Sequence, residues 1–126
     1  MSELVCLELS IALWMVHILV QGVLAFPALG GDYLASPRDE EREPRGVMFG
    51  RATRALRNYV ENLAPFVAAD LGLIVTQHAG GWGATVWIAA RIVYLPLYMY
   101  GVSPARSAVW WVSLIGLLMM LARLAF

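Results

Sequence analysis

Lysine is absent from this 126-residue chain, and cysteine occurs once, at Cys6. A single cysteine excludes an internal disulfide and any metal site built from cysteines. Histidine occurs twice, at His17 and His78. The two are too far apart in sequence for ligand-like spacing, so no metal site is expected. Charge is scarce as well: 14% of residues are charged, and they cancel to a net charge of zero. A soluble domain carries about 25%. A neutral chain has no basic surplus to neutralise phosphates, which argues against nucleic acid as a partner. The space is filled instead by apolar residues, 60% of the chain, with a mean hydropathy of +0.68. That is too much for the core of one small soluble domain, so lipid is the expected solvent.

Long apolar runs set the organisation. Helices are expected at about 4–29, 47–78, 82–100 and 104–124 of a single domain spanning 1–126. A spanning helix needs about 20 mostly apolar residues. The first, third and fourth runs meet that alone. The second is apolar only over Leu63–Thr76 and must borrow the polar segment before it. The fold class is therefore all-α, an integral membrane four-helix bundle. Residues 30–46 hold Gly, Pro and much of the charge and read as a water-exposed loop. Ser103 is placed to cap the fourth helix and Pro104 to open it. The first run starts with Glu3 and Glu8 and no basic residue, unlike a secretory signal, so it is kept as a mature helix. Arg38, Arg42, Arg45, Arg51 and Arg106 fall on one side of a four-span bundle, and Arg123 on the other. The side rich in Arg belongs in the cytoplasm, with both termini outside it.

The informative segment is 51–66, RATRALRNYVENLAPF. At about 100° per residue, Arg51, Arg54, Arg57, Asn58, Glu61 and Pro65 share roughly one third of the helix circumference. Such a face in a spanning helix turns to the bundle interior or a wet cavity. Two readings fit it. One is a structural ladder in which Arg54 and Arg57 pair with Glu61. The other is a ligand site, because three Arg against one Glu leave surplus positive charge for an anion. On the third helix Arg91, Tyr94 and Tyr98 form a stripe; the Tyr residues are either interface anchors or pocket walls. Arg91 lies deeper and needs a partner. Asp70 matches it in depth and Glu61 in face, and Asp70 also matches His17 in depth. Arg106 sits in the first turn of the fourth helix, where a guanidinium and a helix N-terminus together stabilise a thiolate. The alternative for Arg106 is contact with lipid headgroups.

The pattern Arg54-Ala-x-x-Asn58-x-x-Glu61 followed by Pro65-Phe66 resembles the signature of the MAPEG family, membrane proteins of eicosanoid and glutathione metabolism. So does Arg91-x-x-Tyr94-x-x-x-Tyr98 followed by Arg106-Ser107, and the chain looks like a bacterial member. The resemblance implies a homotrimer in the inner membrane, with glutathione held between subunits. It implies that Arg54, Arg57, Asn58 and Glu61 hold glutathione, with Arg91, Tyr94 and Tyr98 completing the pocket. Arg106 would act on the thiol, with Ser107 as a second candidate there. The residues agree in kind: Arg suits the two glutathione carboxylates and Glu61 the ammonium. The expected activity is transfer of glutathione to lipophilic electrophiles, or reduction of hydroperoxides, met from the membrane lipid. The competing reading is a non-enzymatic lipid binder or scaffold of the same fold.

Overall fold

The computed structural model describes residues 1–126, and the chain is helical without a strand. The helices are α1 (Glu3–Leu29), α2 (Gly31–Ala35), α3 (Met48–Val75), α4 (Gly83–Met99) and α5 (Ser103–Ala125). The four long ones run alternately up and down. At one end the Glu3 carboxylate accepts hydrogen bonds from the Gly80 and Gly81 amides, at 2.7 and 3.2 Å. At the same end the Arg123 guanidinium donates to the carbonyls of His78 and Ala79. Those contacts gather both termini around the α3–α4 turn. At the opposite end the Arg51 guanidinium donates to the Met99 carbonyl, at 3.0 Å, tying the start of α3 to the end of α4.

α1 and α5 are long and apolar enough to cross a membrane, at 27 and 23 residues. α4 is apolar over 17 residues, and α3 has 28 residues with its polar half first. α3 and α4 form the centre. α1 packs on both of them from one side and α5 from the other, and α1 and α5 do not meet.

Three local features differ from the sequence-based expectation. The segment 30–46 includes one short helix, α2. Arg42 organises that segment: it donates to the Leu29 carbonyl at 2.8 Å, lies 3.7 Å from Asp32, and covers the Tyr33 ring at 4.8 Å. α3 ends at Val75 because Gln77 takes a left-handed φ of 61°, so His78 belongs to the turn. Ser103 is already helical, and the helix is preceded by Val102 with no side-chain cap; Pro104 does stand in the first turn, where its missing amide costs nothing.

An aromatic row joins α1, α3 and α4. His17 stacks on Tyr59 at 4.5 Å, Tyr59 lies 5.9 Å from Trp87, and Trp87 stacks on Phe66 at 3.9 Å. The Tyr59 hydroxyl donates to the Ser10 carbonyl on α1. All four rings are buried. In lipid there is little hydrophobic drive between helices, so this close fit of rings supplies the association through dispersion.

α4 and α5 meet most closely at two glycines. A Cβ on Gly116 would lie 2.7 Å from the Trp87 amide nitrogen and 2.8 Å from the Gly83 carbonyl oxygen. Small residues at a crossing let backbones approach in this way. Gly116→Ala must push the two backbones apart, an overpacking cost of about 1–3 kcal/mol. Gly22 has nothing within 4 Å of its would-be Cβ. Thermal unfolding in detergent should therefore fall clearly for Gly116→Ala and hold steady or rise for Gly22→Ala. Equal melting for both variants would remove the glycine contact as a stabilising feature.

Candidate functional site

The polar half of α3 opens on a cavity of about 540 Å³ between α3, α4 and α5. α3 lines it with Arg54, Arg57, Asn58 and Glu61, α4 with Tyr94 and Tyr98, and α5 with Arg106, Ser107, Trp110 and Trp111. The spacing explains the convergence. Residues three and four apart share a helix face, and each helix contributes such a set. The cavity lies at the end of the bundle that holds residues 30–46, because α3 and α5 begin there and α4 ends there.

No ion pair joins Arg54, Arg57 or Arg106 to Glu61; the ion pair in the chain is Arg42–Asp32. The structural ladder is therefore not formed within one copy. Arg54, Arg57 and Glu61 are exposed on the helix surface, and their charges are free for a ligand or a neighbouring copy. Arg106 lies over the Tyr98 ring at 4.8 Å, and Tyr98 lies 5.6 Å from Tyr94. These cation–π and ring contacts fix the α5 guanidinium against the α4 wall.

Arg91 is placed differently from its neighbours in the motif. It is fully buried behind the cavity and does not line it. Its Nη2 donates to Asn58 Oδ1 at 2.7 Å, and its guanidinium lies 4.4 Å from the Tyr94 ring and 5.5 Å from the Tyr59 ring. Asn58 is thus its hydrogen-bonded partner, and neither Asp70 nor Glu61 pairs with it. Asp70 is also fully buried, and its two carboxylate oxygens meet no donor. His17 bonds through Nδ1 to the Leu13 carbonyl and not to Asp70.

Arginine only donates, so the Asn58 oxygen must face Arg91 and the Asn58 amide N–H groups are left for other acceptors. The Asn58 carbonyl of the backbone already accepts from Asn62 Nδ2 at 2.8 Å. The cavity thereby offers donors from Arg54, Arg57, Arg106 and Asn58 and one carboxylate, Glu61. That set suits a ligand with more than one anionic group and one cationic group. Sequence reasoning did not find Trp110 and Trp111. Their signal was position: they follow Arg106 and Ser107 by one helical turn, on the same face.

Such a bundle, with a charged and aromatic cavity among its helices, defines the class of helical integral membrane proteins. The model of the MAPEG family matches residues 4–126, nearly the whole chain, and the chain belongs to that family. The family is one of membrane helical bundles with glutathione-linked chemistry. No curated protein matches the chain, and no solved structure does.

The Arg91–Asn58 contact is testable apart from any ligand. Asn58→Leu leaves the buried guanidinium with no hydrogen-bond acceptor, a loss of about 1.5–3 kcal/mol for a bond to a charged group. Asn58→Asp keeps an acceptor and adds a charge partner. Detergent melting should drop for Asn58→Leu and recover most of the way in Asn58→Asp. A neutral Asn58→Leu would show that the two aromatic faces alone hold Arg91.

Proposed function

We propose that this protein is a membrane-bound glutathione-dependent transferase or peroxidase acting on lipophilic electrophiles or hydroperoxides. The observation that carries the reading is the convergence of Arg54, Arg57, Asn58, Glu61, Tyr94, Tyr98, Arg106 and Ser107 on one cavity, with no ion pair spent among them. Arg54 and Arg57 hold the glutathione carboxylates, Asn58 donates beside them, and Glu61 takes the ammonium. Arg91 acts through Asn58 and Tyr94 and not on the ligand. Arg106, in the first turn of α5, stabilises the thiolate, helped by the helix N-terminus. Ser107, on the same cavity wall, is the second candidate donor to the sulfur. The protein's part is to position the thiolate and favour its charge, and the acceptor arrives from the lipid.

The working form is a homotrimer. Arg54, Arg57 and Glu61 stand exposed on a helix that crosses the membrane, and exposed charge there is unfavourable until a ligand and a neighbouring copy cover it. The location we propose is the inner membrane of a bacterial cell, with residues 30–46 in the cytoplasm and the termini on the far side, as the Arg asymmetry supports. With Cys6 buried as a silent background, Phe126→Cys should label with an impermeant reagent in intact cells and Ser36→Cys should not; the reverse pattern inverts the topology.

Binding and chemistry separate by mutation. Arg57→Ala should weaken glutathione binding by roughly ten- to a hundredfold, the worth of a charge-assisted contact of about 1.5–3 kcal/mol. Arg106→Ala should leave binding nearly intact, cut turnover, and lower the ultraviolet thiolate absorbance of bound glutathione. Native mass spectrometry should give trimers for the wild type and both variants. If Arg57→Ala spares glutathione affinity and breaks the oligomer, the charged face is structural and the protein is a lipid-binding scaffold.

A further inference from the structure

We infer that the end of α1 and the segment 30–46 form a phospholipid site that selects a headgroup in which phosphate is followed by a primary ammonium, as in phosphatidylethanolamine. The site shares no residue with the cavity among α3, α4 and α5, and it stands apart from the glutathione-dependent reading.

Two hollows meet at Arg38. The first, about 530 Å³, is an apolar trough lined by Gly22, Phe26 and Leu29 of α1, Leu34 of α2 and Phe49 of α3. A Cβ on Gly22 would meet nothing within 4 Å, so the glycine leaves the trough open. From Leu29 back to Gly22 is about 10 Å of a helix long and apolar enough to cross the membrane. The trough thus runs from the membrane face into the hydrocarbon, where an acyl chain fills it. The second hollow, about 420 Å³, is lined by Asp32, Asp39, Glu40, Glu41 and Arg42. Arg38 lines both.

Arg38 is held at that junction. Its φ of 60° is left-handed, a conformation that residues other than glycine rarely take. Its Nε and Nη2 donate to the Leu34 carbonyl on α2, at 3.3 and 2.9 Å. Nη1 makes no hydrogen bond within the chain and is free for a phosphate oxygen. Next to it, Arg42 takes Asp32 in the ion pair of this chain. Asp39, Glu40 and Glu41 are exposed and unpaired. The site therefore carries an apolar part, a cation and a set of carboxylates, with the cation shared between the other two.

That composition selects among headgroups. A lone arginine at headgroup level takes any phosphate. A phosphoglycerol headgroup brings an anion and nothing for the carboxylates. A choline headgroup brings a cation that donates no hydrogen bond and is best held by several aromatic faces. Tyr33 is the one ring in the acidic hollow, and Arg42 already covers it at 4.8 Å. A primary ammonium donates three hydrogen bonds and suits carboxylates.

The test is native mass spectrometry of the full chain in detergent with equimolar dioleoyl phosphatidylethanolamine, phosphatidylglycerol and phosphatidylcholine. The wild type should retain phosphatidylethanolamine roughly fivefold over either competitor. The combined variant Asp39→Asn, Glu40→Gln, Glu41→Gln should lose that preference and keep phosphatidylcholine at its wild-type level. Arg38→Ala should cut phosphatidylethanolamine retention roughly tenfold. Gly22→Leu fills the trough and should cut retention of all three lipids, with melting in lipid-free detergent unchanged. Equal retention of the three lipids by the wild type, a preference that survives the amide variant, or full retention in Arg38→Ala would each overturn the site. If Gly22→Leu breaks the oligomer and spares lipid retention, the trough holds a second copy of the chain and the lipid site is refuted.

Discussion

The buried guanidinium of Arg91 is the contact on which both the core and the cavity depend. A cation inside a membrane bundle must be partnered within the protein. Here no carboxylate does it. One amide oxygen at 2.7 Å and two aromatic faces at 4.4 and 5.5 Å share the task. The rings belong to two different helices: Tyr59 to α3 and Tyr94 to α4. Arg91 thus joins α3 to α4 at mid-bundle. Tyr59 in turn stacks on His17 and donates to the Ser10 carbonyl, which draws α1 into the same cluster. On the other side, Asn58 and Tyr94 are cavity walls. The charge that orders the interior also orients two of the groups that line the cavity.

This arrangement explains why the charged groups of α3 divide into two sets. Asn58 is half-buried and turned inward by its bond to Arg91, while Arg54, Arg57 and Glu61 remain exposed and unpaired. A ladder of Arg–Glu pairs would have locked the face and closed it to ligands. The spacing permits such a ladder, since Arg57 and Glu61 are four apart. The structure holds the carboxylate and the guanidiniums without it.

The parts of the site legible in the sequence were those that lie on one helix. Arg54, Arg57, Asn58 and Glu61 fall on one face by periodicity alone, and Arg106-Ser107 stand at a helix start marked by Pro104. What the sequence left open was pairing between helices. Arg91 had Asp70 and Glu61 as candidates and is held by Asn58 instead, because register and rotation between helices depend on how rings such as Trp87 and Phe66 fit, and periodicity does not carry that information. Trp110 and Trp111 went unread for a different reason. An indole in an apolar span has the composition of a lipid-facing residue, and only the cavity distinguishes it. The short helix α2 was hidden because its five residues include Gly31 and Asp32, which read as loop.

The glycine crossing of α4 and α5 has a mechanical consequence. Gly83 and Gly116 bring the two backbones together near the end of the bundle that holds the termini, while Tyr98 and Arg106 face each other near the opposite end. From Gly116 to Arg106 is ten residues, about 15 Å of helix. The contact is therefore a fulcrum and α5 a lever arm. A tilt of about 4° at the glycines carries Arg106 through about 1 Å, a displacement that costs an active site roughly a hundredfold in rate. A methyl group added at the quiet end of the pair is felt as lost alignment at the far one.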